Sequence, residues 1–100
     1  MKKKLDIIEK IKDKKKKKEP NLYKIIILND DFTTMDFVVR ILIMFLNKSK
    51  QEAISLMLKI HNEDFAVCGK YSKDVAKTLQ KKIHDYSRTN SQPLRCIIKK

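Results

Sequence analysis

The sequence predicts an α+β fold, a small antiparallel sheet covered on one face by three helices in the order β-α-α-β-α-β. Three observations carry that expectation. A β-branched run from Tyr23 to Leu28 alternates between two faces. Two polar-capped segments with apolar residues at helical spacing follow it, and then a short strand, a third helical segment and a second alternating run close the pattern.

In the first strand Tyr23, Ile25 and Ile27 face one way and Lys24, Ile26 and Leu28 the other, which suits a pleated, largely buried surface. The strand stops at Asn29, where Asn29-Asp30-Asp31-Phe32-Thr33-Thr34-Met35 turns the chain into a helix. Asn and Asp are turn formers, but a turn held by rigid flanks also presents side chains for binding. Thr33 followed by Asp36 has the spacing of a capping box and predicts a helix from about Thr34 to Asn47. Phe37, Val38, Ile41, Leu42 and Phe45 form its apolar stripe. Ile43, Met44 and Leu46 widen the stripe, so the helix is either buried on more than one side or leaves a patch exposed.

Ser49 and Glu52 form a second capping box, and the helix behind them carries Ala53, Met57, Ile60 and His61 along one side. Phe65 to Tyr71 reads as a short strand containing Cys68 and Gly69. Ser72 then caps a third helix with Val75, Leu79, Ile83 and Tyr86 inward and Lys73, Lys77, Lys81 and Arg88 outward. Asn90-Ser91-Gln92-Pro93 ends it, and Leu94 to Ile98 alternates as a last strand half open to water.

Residues 1–21 stand apart as a flexible, Lys-rich extension of a core domain over residues 22–100. Residues 1–20 hold ten Lys against four acids, so half of the net charge of +12 lies there. Leu5, Ile7, Ile8 and Ile11 share a helical face, which makes this segment either a solvated arm or a short basic amphipathic helix. In the remainder the basic residues are scattered, with no interleaved aromatics to stack on bases, so a solvated basic surface is favoured over nucleic-acid binding. No apolar run reaches the roughly 18 residues of a spanning helix, and no apolar stretch follows the basic start as in a signal peptide, so no membrane partner is expected. Cys68 and Cys96, without a C-x-x-C pattern, predict free, buried packing thiols in a reducing compartment.

Catalysis requires convergent groups, and few are present. There is no G-x-S-x-G, P-loop or dinucleotide fingerprint, and a single Gly excludes a phosphate cradle built on glycines. His61, Asp30 and Asp31 lack a fourth metal ligand. A non-enzyme with no metal and no cofactor is expected.

Several motifs in register then resemble one family. Tyr23-Lys24 before an aliphatic strand, Asn29-Asp30-Asp31, Thr33-x-Met35-Asp36-Phe37-Val38, Met57-Leu58 with Ile60-His61, Cys68-Gly69, His84-Asp85-Tyr86 and Pro93-Leu94-x-Cys96 look like the ClpS adaptors, in order and spacing from about Leu22 onward. The resemblance implies a cytoplasmic bacterial adaptor, with a plastid home left open. Such an adaptor binds N-degron proteins, whose free first residue is a bulky Leu, Phe, Tyr or Trp. It delivers them to the N-terminal domain of a ClpA- or ClpC-type AAA+ unfoldase working with ClpP.

Residue by residue, the resemblance implies that Asn29, Asp31 and His61, with Asp30 beside them, hold the α-ammonium group. Thr33, Met35, Val38, Met57, Ile60 and Leu94 would wall the side-chain pocket, Met35 gating it against β-branched groups. Tyr71, Asp74 and Leu79 would contact the unfoldase. The chemistry suits the first set, because an ammonium offers three donors and one positive charge, best met by a carboxylate and neutral acceptors. Four positions depart from the family pattern: Thr34 replaces a usual Pro, Ile60 a smaller Val, Asp64 a frequent Gly and Gln92 a frequent His. His84 reads as a surface group. The implied fold is also similar to the C-terminal domain of a ribosomal stalk protein, so a basic ribosome- or nucleic-acid-associated domain is the rival reading.

Overall fold

The sheet is centred on β1 (Tyr23–Leu28), which pairs antiparallel with β2 (Phe65–Tyr71) on one side and β3 (Arg95–Lys99) on the other. The computed structural model describes residues 21–100; the predicted extension and its Leu5 to Ile11 face lie outside the described residues. Ile25 and Ile27 are wholly buried against the helices, as the alternation requires. A bulge separates Ile25, opposite Gly69, from Ile26, opposite Val67, which leaves Cys68 as the extra residue. Beside this bulge the Tyr71 ring lies over Gly69, so close that a Cβ there would stand 2.7 Å from a ring atom and the ring would have to move.

Three helices pack on the inner face: α1 (Met35–Leu46), α2 (Lys50–Glu63) and α3 (Lys73–Thr89). The capping box at Ser49 and Glu52 is present with both of its hydrogen bonds, and Ser72 caps α3. The predicted box at Thr33 and Asp36 is not. Thr34 caps α1 instead, accepting from the Phe37 amide at 3.1 Å, because both the amide and the hydroxyl of Thr33 are held by Asp30. Along α3 Ile83 is buried and Leu79 and Tyr86 pack against the core as predicted, but in the first turn Ala76 is buried in place of Val75, which is 47% exposed.

The core joins the sheet residues Ile25, Ile27, Ala66, Cys68 and Cys96 to Phe37, Ile41 and Leu42 of α1 and Ile83 of α3. Tyr86 ties α3 to α1, stacked on Phe37 at 5.7 Å between centroids and edge-on to Phe45 at 5.6 Å. Both cysteines are free and buried. Burial pushes the Cys68 thiol up to about 11 and the Cys96 thiol up to about 12, so both are inert packing groups near neutral pH.

His84 is not a surface group. Its Nε2 accepts from the Cys96 amide at 3.0 Å, and Gln80, one turn earlier on α3, donates Nε2–H to the Cys96 carbonyl at 2.9 Å. The pair covers both backbone groups of one residue on β3, an edge strand that would otherwise present them for pairing with another chain.

Candidate functional site

The Asn29 to Met35 stretch runs from the end of β1 to the start of α1, and three tethers fix its course. At the first residue, the Asn29 amide donates to the Asp64 carbonyl at 2.9 Å, which joins the stretch to the end of α2. Asp64 can offer that carbonyl because it ends α2 in the left-handed conformation, at φ 76°. The second tether is internal. Asp30 Oδ1 accepts the amides of Phe32 at 2.8 Å and Thr33 at 2.6 Å, while Oδ2 accepts the Thr33 hydroxyl at 2.6 Å.

The third tether is long-range: the Thr34 amide donates to Gln92 Oε1 at 3.1 Å. Gln92 lies in the turn after α3, a turn that Arg88 holds through the carbonyls of Gln92 at 3.0 Å and Leu94 at 2.9 Å. Burial raises the Asp30 pKa, but the Thr33 and Phe32 hydrogen bonds and the Arg88 charge outweigh it and leave the carboxyl below its ordinary value.

Between this stretch and the last turn of α2 lies a cavity of about 430 Å³, a size that suits a small ligand or one side chain with its backbone. Asn29, Asp30, Asp31, Thr33, Thr34 and His61 supply its polar lining. Met35 and Val38 from α1 face Met57 and Ile60 from α2 as its apolar wall. Val38 and Ile60 also belong to the core, at 8% and 3% exposure, so the wall is rigid where it meets the fold. Met35 is 46% exposed, and its flexible thioether stands at the mouth. His61 belongs to the last turn of α2.

Of the ten residues that the resemblance assigns to amine and side-chain binding, nine line this cavity: Asn29, Asp30, Asp31, His61, Thr33, Met35, Val38, Met57 and Ile60. Leu94 does not. It is fully buried in the core just before β3, where a side chain leaving the loop must turn under the sheet. Asp30 and Thr33 line the cavity with their polar groups engaged on each other, so they shape the loop. Phe32, 79% exposed at the rim, and Thr34 also line the cavity and were not expected. The signal for Phe32 was an aromatic in a polar turn, with no core position to occupy. Among the proposed unfoldase contacts, Asp74 is exposed in the first turn of α3, whereas Tyr71 and Leu79 are half-buried against the core.

Fold and cavity together define a small ligand-binding module, whose site pairs oxygen and nitrogen acceptors with an apolar wall. A sequence family described as ATP-dependent Clp protease adaptor protein ClpS matches residues 18–97. Similar proteins include the ATP-dependent Clp protease adapter protein ClpS of Rhodospirillum centenum, 41% identical over 90% of this chain and 83% of its own length. That of Nitrosomonas eutropha is 44% identical over 81% of this chain and 79% of its own. The solved structure of Agrobacterium tumefaciens ClpS2 bound to L-phenylalaninamide superposes with a TM-score of 0.77. It is 30% identical and covers 81% of this chain and 98% of that one. The chain belongs to the ClpS adaptor family. Membership displaces the ribosome- and nucleic-acid-associated reading, and it is membership in a family of protease adaptors, not of proteases.

Proposed function

We propose that this chain captures proteins whose free first residue is Leu, Phe, Tyr or Trp and passes them to a ClpA- or ClpC-type AAA+ unfoldase working with ClpP. The observation that carries the reading is the composition of the cavity. Asn29, Asp31 and His61 line it together with Met35, Val38, Met57 and Ile60. The ligand of the Agrobacterium relative supports it, since L-phenylalaninamide has a free α-amine and an aromatic side chain, with an amide where a peptide would continue.

In this reading the α-ammonium donates its three hydrogens to the Asn29 side-chain oxygen, the Asp31 carboxylate and the His61 ring nitrogen. An N-acetylated terminus has lost the charge and keeps one N–H donor of the three. The side chain enters the apolar slot, where burial contributes about 1.5–3 kcal/mol, and the charge-assisted hydrogen bonds contribute a similar amount. After the cost of association, affinity near about −8 kcal/mol, in the micromolar range, is expected. Delivery would place Tyr71, Asp74 and Leu79 against the unfoldase N-terminal domain, with the Lys-rich extension reaching toward it. A bacterial cytoplasm, or a plastid, is the compartment that fits this partnership.

Fluorescence anisotropy with a Leu-first peptide and its N-acetylated twin tests the site. Tight binding of the free peptide alone is expected, and equal affinities would overturn the reading.

A further inference from the structure

Next to the cavity, α1 and α2 leave a second hollow of about 560 Å³ open to solvent. Val39, Ile43, Met44, Ile54 and Met57 give it an apolar floor, and Ile43, Met44 and Ile54 are 40%, 51% and 37% exposed. Nothing else in the described residues covers these side chains, which form a contiguous exposed patch where scattered single residues would need no explanation. The two hollows adjoin: Met57 lines both, and the adjacent residues Met35 and Asp36 line one each.

We propose that this groove receives the substrate segment immediately after the first residue, and that it favours apolar side chains there together with an acidic one. The inference rests on the cavity being the amine site, and adjacency to that cavity is what selects the occupant. From Met35 to Ile43 the helix advances about 12 Å, which three or four residues of extended peptide span. A peptide anchored by its first residue therefore lays roughly positions 2 to 5 over the groove. Its charge adds the second preference: Arg40 and Lys50 border it against the single carboxylate of Asp36, a net excess of one positive charge that complements an acidic side chain.

Two Leu-first peptides, measured by anisotropy on the full chain, test this. One continues with Gly and Ser, the other with Ile, Glu and Leu at positions 3 to 5. The second is expected to bind about tenfold more tightly. Ile43→Ser with Ile54→Ser, two exposed substitutions outside the amine site, should reduce that difference to within about twofold while L-phenylalaninamide binds as before. Equal affinities of the two peptides for the unsubstituted chain overturn the groove proposal and leave the amine site standing. So does a difference that survives in the double variant, or a concentration-dependent dimer in sedimentation that this variant abolishes without touching peptide affinity. Failure of L-phenylalaninamide and both free peptides to bind overturns the cavity reading itself.

Discussion

Replacing Asp30 with Ala separates two roles that neighbouring carboxylates at this site could play. Its three accepted hydrogen bonds, from the Phe32 amide, the Thr33 amide and the Thr33 hydroxyl, are 2.8, 2.6 and 2.6 Å long. A charge-assisted bond contributes about 1.5–3 kcal/mol when well buried. Here the Phe32 bond is exposed and the Thr33 pair only part-buried, so solvent screening brings the expected total to about 2 kcal/mol. For a domain of this size that loss lowers Tm by roughly 8–16 °C. Thr33→Val removes the hydroxyl bond alone, at about 1 kcal/mol, and the double variant should fall short of the summed losses by a similar amount. Calorimetry on the three variants reads the cycle, and peptide anisotropy supplies an independent measure. Asp31→Ala, by contrast, should melt near the unsubstituted chain and lose Leu-first peptide binding.

The pH dependence follows from the same bonds. Asp30 is held below its ordinary 3.8, so its contribution is complete above that value and is lost as pH falls through the lowered one. Asp30→Ala should therefore flatten the acid limb of the stability profile. A variant that melts unchanged yet no longer takes peptide would refute the loop-organising role and make Asp30 the ammonium's partner.

Asp64→Gly relieves a left-handed residue at φ 76° and should stabilise by about 1 kcal/mol, raising Tm by roughly 4–8 °C; an unchanged or lower Tm contradicts the strain. Met35→Ala opens the exposed mouth of the cavity and should raise the affinity of Ile-first and Val-first peptides relative to Leu-first ones, with an unaltered ranking counting against the gate. His84→Phe leaves the Cys96 amide without its acceptor, at about 1–3 kcal/mol, and should speed hydrogen exchange at that amide. Burial, then Arg88 and Arg95, hold the His84 pKa below 6.5 against the opposing Asp85 charge. Its contribution is present above that value and fades as pH falls, and the variant should lose this part of the acid slope.

The strands and helices were legible because their signals are local: alternation at Tyr23 to Leu28, the Ser49 and Glu52 pair, and the Ser72 cap. The site stretch was legible as a place, but the division of roles within it was not. Asn29, Asp30 and Asp31 are adjacent acceptors of similar reach, and only the folded turn decides which carboxylate bends back onto the chain. Adjacent Thr33 and Thr34 posed the same problem, since either could cap α1 until Asp30 engaged the first. Leu94 and His84 depended on contacts distant in sequence. Whether Leu94 faces cavity or core depends on where β3 begins, and His84 has a backbone partner only because α3 packs along the β3 edge.

The three tethers explain why a loop can serve as a rigid receptor. Asn29 is fixed to the end of α2, which also carries His61, so two of the proposed acceptors are positioned through one backbone hydrogen bond. Thr34 is fixed to the turn after α3, and through Arg88 that turn is fixed to the start of β3. Asp30 closes the interval between these anchors from within, and Asp31, exposed beside it, lines the cavity. A carboxylate already satisfied by its own loop gives up little to a ligand, whereas one held in position by its neighbours binds an ammonium without first ordering itself. In the proposed reading the two acids act in series: Asp30 sets the loop geometry, and Asp31 is left as the charge partner for the ammonium.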